Sequence, residues 1–400
     1  MSIGRSKYLQ AAAVCPPGLE QLCAAELKSL GLRPKPAGPG LVEFEANVRQ
    51  LYAANVWLRT AGRIVVRLAT FRATDFVHLQ DHAAKIDWAR WIEPGRAPRF
   101  RISTSQSKLY HTKAIAQRLH QVSLPPSIGE PEQLFIVRIS RNTVTISVDA
   151  SGEALHHRPW RIDLGDAPLR PTMAAACLQA VGWDGNRPLI DPFCGSGTFA
   201  VEAALMALGL PAGGEREFAF HTWPSFDTGA WASVAGSVQA AHEAASSDQA
   251  ARPEIVASDR DPAMVAATEA NAARAEVAHL ITAEERVVSH LRGRSGSGLI
   301  ITNPPYGKRL GSAKLTRLYG RLGAVARERL PEFDLAVLTA HRKLALEADG
   351  AAEPVLAFRH GGLGVKLYRR AARPPGSEPS ELGQDEVVAA GGDQPEAAVG

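Results

Sequence analysis

From Pro188 onward, short and wholly apolar runs alternate with longer stretches whose apolar residues return every three or four positions. The runs are Pro188–Asp191, Ile255–Ser258, a segment within Leu280–Val288, Gly298–Thr302 and Asp334–Thr339. Short apolar runs bounded by turn formers read as strands buried on both faces. The periodic stretches Thr172–Val181, Thr198–Leu208, Pro262–Ala275 and Lys314–Leu330 read as helices. This alternation predicts an α/β, doubly wound, mostly parallel sheet. Val355–Arg359 and Val365–Arg369, joined by Gly361-Gly362-Leu363-Gly364, are expected to end it with an antiparallel hairpin.

The N-terminal half follows a different pattern. Pro16-Pro17-Gly18 precedes an amphipathic helix carrying Leu19, Leu22, Cys23, Leu27 and Leu30, which Gly31 closes. Gly40–Glu45 reads as a strand, Val48–Leu58 as a helix and Ile64-Val65-Val66 as strand-like. Phe100–Ser103, a helix over Thr112–Val122, and strands Leu134–Ser140 and Thr143–Asp149 follow, the last two turning at Arg141-Asn142. The expected division is an α+β region in two parts, 1–70 and 71–150, a polar linker 151–170, the α/β domain 171–371 and an acidic, aperiodic tail 372–400 that is expected to be disordered. The long insertion Leu210–Arg252 is expected to shape an active site. Its Trp223 and Phe226 read first as core packing and second as pocket lining.

Charge separates the two halves. Residues 1–150 carry 20 Lys and Arg against 11 Asp and Glu, whereas 151–371 carry 24 of each. A basic N-terminal region suits a phosphate backbone, with a merely solvated surface as the alternative. The candidate phosphate-backbone contacts are Arg59, Arg63, Arg67 and Arg72, with Lys113 and Arg118 on the basic side of a helix. Cys15, Cys23, Cys177 and Cys194 form no C-x-x-C pair and have no histidine at ligand spacing, so reduced thiols and no metal are expected. His156-His157 lacks a third ligand and reads as surface or substrate-facing. No run approaches the ~18 apolar residues that span a bilayer, and a cytoplasmic location without a membrane partner is expected.

Two motifs carry chemistry. Asn303-Pro304-Pro305-Tyr306-Gly307 follows the apolar run Leu299-Ile300-Ile301. It offers an amide oxygen, a backbone carbonyl freed from ladder pairing and an aromatic face, a set suited to the exocyclic amino group of a flipped base. A strand ending in a rigid turn is the plainer reading. Asp191-Pro192-Phe193-Cys194-Gly195-Ser196-Gly197-Thr198 lies between a strand and a helix, where glycines let a ligand approach the backbone. Gly195-x-Gly197-x-x-Ala200 fits a loose dinucleotide fingerprint, but the strand-end acid Asp259 comes 62 residues after Gly197 instead of the roughly 20 a ribose acid requires. The chain has no Gly-Lys-Ser/Thr, so a P-loop is unsupported.

Together the two motifs resemble those of S-adenosylmethionine-dependent amino-methyltransferases, with Ala167-Pro168-Leu169-Arg170-Pro171-Thr172 matching the element before the glycine loop. More closely, residues 10–371 resemble the RNA guanine-N2 methyltransferases that carry an N-terminal ferredoxin-like segment and a THUMP RNA-binding domain, the large-subunit ribosomal RNA enzymes above all. The resemblance implies a Rossmann-like class I methyltransferase fold behind ferredoxin-like (1–70) and THUMP (71–150) segments. It implies S-adenosylmethionine held by Asp191, Phe193, Cys194, Gly195, Gly197 and Thr198, with Asp259 rather than Asp261 on the ribose. Asn303 and the Pro304 carbonyl would accept from the target amino group, Pro305 belongs to the same catalytic motif and Tyr306 would stack on the base. The implied partner is RNA, ribosomal before transfer RNA, as free RNA or in a ribosome assembly intermediate. Adenine N6 is the alternative target, and a non-catalytic RNA-binding factor the alternative class. One departure stands out: Arg286-Val287-Val288-Ser289-His290 lacks the acid that this family usually places on the adenine, leaving Glu284, Glu285 or a backbone group for that contact.

Overall fold

The computed structural model describes residues 8–93, 96–123, 132–163, 169–214, 216–247, 252–306, 312–360 and 362–372. Ala167, Pro168, Gly307, Gly361 and the acidic tail from 373 lie outside the described residues.

The N-terminal elements are β1 (Leu9–Val14), α1 (Glu20–Ser29), β2 (Lys35–Gly38), β3 (Leu41–Ala46), α2 (Val48–Trp57), β4 (Arg63–Arg72), α3 (Phe76–Ala83), β5 (Ala97–Ser105), α4 (Thr112–His120), β6 (Glu132–Ser140) and β7 (Thr143–Asp149). Their strands form one sheet in the order β2-β3-β1-β4-β7-β6-β5. The expected boundary at residue 70 falls inside β4. That ten-residue strand pairs with β1 through Arg63–Val66 and with β7 through Val65–Arg72, so the two expected segments share a continuous sheet. Arg141 and Asn142 make the β6–β7 turn with φ of 50° and 61°, the left-handed pair that a two-residue hairpin requires.

The second half comprises α5 (Pro171–Ala180), β8 (Leu189–Asp191), α6 (Thr198–Ala207), α7 (Thr228–Ser247), β9 (Ile255–Asp259), α8 (Pro262–Arg274), β10 (Ile281–Glu285), β11 (Gly298–Thr302), α9 (Ser312–Arg329), β12 (Phe333–Thr339), α10 (Arg342–Ala348), β13 (Glu353–His360) and β14 (Leu363–Arg370). The sheet order is β10-β9-β8-β11-β12-β14-β13. The first five strands run parallel, and β14 is antiparallel to both neighbours. This is the expected doubly wound sheet with its terminal hairpin. Every residue of β8, β11 and β12 is buried, which explains their unbroken apolar runs.

The 210–252 insertion does not shape the strand ends that carry the motifs. It joins the C-terminus of α6 to the start of β9, and its described residues pack against the N-terminal half, chiefly α2 and the loop at Trp91. Phe220 stacks on Tyr52 with ring centroids 4.1 Å apart, and Trp223 meets Trp91 edge-on at 4.8 Å. The Trp223 indole donates to Gln133 Oε1 at 3.0 Å, and the Tyr52 hydroxyl accepts from Asp227 N at 3.1 Å. Aromatic burial thus fuses the two halves, and one apolar core runs through both sheets.

Candidate active site

β8 is the first strand of the second sheet and lies between β9 and β11, so the strand order reverses direction beside it. In open α/β sheets the loops at the C-terminal strand ends diverge at such a point, which is the usual ligand position. Asp259, Asp191 and Thr302 end these three adjacent strands. Both sequence motifs therefore emerge side by side.

The Asp191 carboxylate is buried and ties the motifs together. Its Oδ1 accepts from Thr302 Oγ1 at 2.6 Å and from Phe193 N at 3.2 Å. Burial pushes this carboxyl up to about 7; the two hydrogen bonds oppose the rise and the nearby Asp259 charge adds to it. The loop then turns through Gly195 and Gly197, with φ of 52° and 79°. Gly195 N donates to Asp259 Oδ2 at 3.1 Å, and Thr268 Oγ1 donates to Gly195 O at 2.8 Å. Asn271 Nδ2 donates to Ser196 O at 2.9 Å. Cys194 is buried with its sulfur 3.6 Å from Thr268 Oγ1, and burial pushes its thiol up, so it packs and is no nucleophile. Phe193 is half-buried, and Thr198 opens α6 as a buried residue.

Thr268 and Asn271, one turn apart on α8, escape sequence reasoning. The signal was present: they are the uncharged polar residues of an otherwise Ala-rich helix, and both are fully buried. Their grip leaves no room at Gly197, where an added Cβ would lie 2.6 Å from Thr268 Cγ2. Gly197→Ala is expected to weaken cofactor binding at least tenfold and cost about 1–3 kcal/mol, since it adds a clash to a left-handed backbone. Calorimetric titration and urea unfolding of the variant measure both effects.

At the end of β11, Asn303 Oδ1 is buried and has no hydrogen-bond partner among the described residues. Pro304 and Pro305, which lack N–H groups, cannot supply one. An unmade bond on a buried acceptor costs about 1–3 kcal/mol, and such a cost persists where a ligand supplies the donor. Pro304 is buried, Pro305 exposed, and Tyr306 half-buried where both apolar cores meet. Asp261 caps α8, its Oδ1 accepting from Ala263 N at 3.0 Å. Asp259 remains half-buried at the strand end with lone pairs to spare. Glu284 lies 2.8 Å from the Arg286 guanidinium, whereas Glu285 ends β10 opposite Asp259 and is exposed.

The expected RNA contacts do not form one surface, and two of them are corrected. Arg59 is buried, donates to the carbonyls of Leu205 (3.3 Å) and Leu210, and lies 3.8 Å from Glu202. Arg63 is held by Asp149 and by Gly152 O at 2.7 Å. Both bind protein because buried acceptors lie within reach, and neither is open to RNA. Arg67 pairs with Glu43 at 2.6 Å and is partly exposed. Arg72 is exposed on the sheet, and Lys113 and Arg118 are exposed on α4 in the helical layer, with Arg118 over the Phe76 ring. Arg158, from the polar linker, is buried against Glu202 at 3.0 Å.

Two glycines with positive φ, a strand-end carboxylate and an unpartnered amide acceptor fit S-adenosylmethionine and an amino-bearing base. Residues 158–355 match the RMKL-like methyltransferase domain, and residues 10–65 match the RlmL ferredoxin-like domain. YpsC of Bacillus subtilis is 35% identical over 342 residues, covering 82% of this chain and 87% of that protein. The ribosomal RNA large subunit methyltransferase K/L of Marinobacter nauticus is 33% identical over 346 residues, covering 81% of this chain and 47% of that enzyme. The chain spans about half the length of the K/L enzymes that it matches. The crystal structure of SMU.472 complexed with SAH superposes with a TM-score of 0.82 at 26% identity, covering 92% of this chain and 99% of that one. The chain belongs to the RMKL-like family of S-adenosylmethionine-dependent RNA methyltransferases.

Proposed function

We propose that this chain methylates the exocyclic N2 of a guanosine in large-subunit ribosomal RNA. The unpartnered Asn303 Oδ1, next to the glycine loop at the same sheet edge, is the observation that carries the reading. The K/L relatives, named for ribosomal RNA, support the substrate, and the exposed cations of residues 71–150 support a THUMP-like RNA-binding role there.

The cofactor, when bound, supplies an electrophilic methyl group. The glycine loop and Asp259 would hold it, and the chain's own residues do the rest. Asn303 Oδ1 and the Pro304 carbonyl accept the two N–H groups of the target amine. That grip aims the nitrogen lone pair into the crevice. Tyr306 packs on the base and excludes water. Asn303 takes no proton; the surplus N–H proton leaves to solvent once the new N–C bond has formed. Rate enhancement rests on orientation and desolvation. Adenine N6 is the second reading, because the same acceptor pair suits any exocyclic amine.

A pH dependence follows from Asp191. A ligand bearing an ammonium group favours the ionised carboxylate, and burial holds this one protonated below about 7. Cofactor affinity is therefore expected to fall about tenfold per unit below that pH and to level off roughly one unit above it. Binding isotherms across that window test this, with Asp191→Asn expected to flatten the profile.

To test the polynucleotide, unmodified ribosomal RNA, transfer RNA and DNA would be incubated separately with methyl-tritiated cofactor. Counts in ribosomal RNA are expected. Counts confined to transfer RNA or DNA would overturn the substrate.

A further inference from the structure

The N-terminal sheet has two unlike faces. One buries Phe135, Val137, Ile139, Val144, Ile146 and Val148 in the core that also holds α3 and α4. On the other, strand register places polar residues in rows across the sheet. Ser103 pairs with Arg138, Arg138 with Thr145 and Thr145 with Thr70. Arg101 lies two residues before Ser103, and Arg72 two residues after Thr70, all on this face. Arg72, Arg101 and Arg138 are exposed, and none forms an ion pair with a described residue. Among the described side chains of β5, β6 and β7 the one acid is Asp149, which is buried against Arg63.

We infer that this open face, centred on Arg101 and Arg138, docks the phosphate backbone of an RNA helix. The inference rests on the RNA methyltransferase reading above and adds where the RNA is held. Arg101 and Arg138 are diagonal neighbours on adjacent strands, positions roughly 7–8 Å apart, and set among hydroxyls they suit a row of phosphates and 2′-hydroxyls. Unpaired bases need aromatic platforms, and the rows through Arg72, Arg101 and Arg138 contain none. The charge favours nucleic acid over a second copy of this chain, whose matching face would be equally basic.

The test uses the full chain and a fluorescein-labelled RNA hairpin, with anisotropy recorded over a salt series. Arg101→Glu/Arg138→Glu is compared with Lys28→Glu/Lys85→Glu, an equal charge change at exposed lysines outside this sheet. The arginine pair is expected to lose about 10- to 100-fold in affinity at 0.1 M salt and about 2 units of salt slope, with cofactor affinity and melting temperature unchanged. Equal losses in the two variants, or none in the arginine pair, would overturn the surface while leaving the methyltransferase reading intact. Tighter binding of an unpaired oligonucleotide, weakened equally by the arginine pair, would overturn the helix as occupant. Concentration-dependent dimers lost in the arginine pair, with RNA affinity intact, would assign the face to a second copy. A wild-type chain that binds no RNA would overturn the underlying RNA reading as well.

Discussion

Asn303→Ala is expected to reduce methyl transfer by about 10²–10³-fold or more while changing cofactor affinity less than about twofold. The magnitude is that of removing one preorganised polar contact from a desolvated reaction centre. The split follows from position: Asn303 lies past the end of β11, whereas the cofactor loop is held by Thr268, Asn271 and Asp259. Stability moves the other way. Oδ1 has no partner to lose, so truncation removes a buried, unsatisfied acceptor, and the melting temperature should hold or rise. Single-turnover rates, calorimetric titration and thermal unfolding separate the three effects. Near-normal turnover, or a collapse in stability, would contradict the assignment.

Glu202→Ala is expected to cost about 3–5 kcal/mol, a large share of the stability of a typical domain. Glu202 is fully buried on α6 and meets Arg158 Nε at 3.0 Å and Arg59 at 3.8 Å. Arg158 also donates to Arg59 O and Leu155 O, so the two guanidiniums knit the N-terminal half to the helix that starts at the cofactor loop. Removing the one carboxylate leaves two buried cations facing each other. Urea unfolding reads the loss, and a shift under about 1 kcal/mol would mean that water or backbone carbonyls already satisfy the arginines. Replacing Arg158 and Glu202 together with apolar residues should recover part of the stability, because only Arg59 then remains as a buried cation without its carboxylate.

The catalytic half was legible because its central strands β8, β11 and β12 are buried on both faces, which forces continuous apolar runs, and because glycine and proline mark both loops. β11 matches its expected bounds at Gly298–Thr302. β1 was missed: its Ala11-Ala12-Ala13 centre lacks the β-branched and aromatic residues that signal a strand, and pairing with β3 and β4 builds it. α10 also escaped, since seven residues carry too little periodicity. The arginines misled for a related reason. Arg59, Arg63 and Arg67 look like one basic stripe, but their partners Glu202, Asp149 and Glu43 are remote in sequence and meet them only through the fold. Thr268 and Asn271 show the same limit, since a helix pattern reports a buried face without naming the loop that it grips.

The most direct test of the account is to supply wild-type chain and Asn303→Ala with carbon-13 methyl-labelled S-adenosylmethionine and unmodified large-subunit ribosomal RNA. Digested nucleosides would then be identified by mass spectrometry. Labelled N2-methylguanosine is expected from the wild type and almost none from the variant. A label on any other nucleoside, or equal label from both proteins, would contradict it.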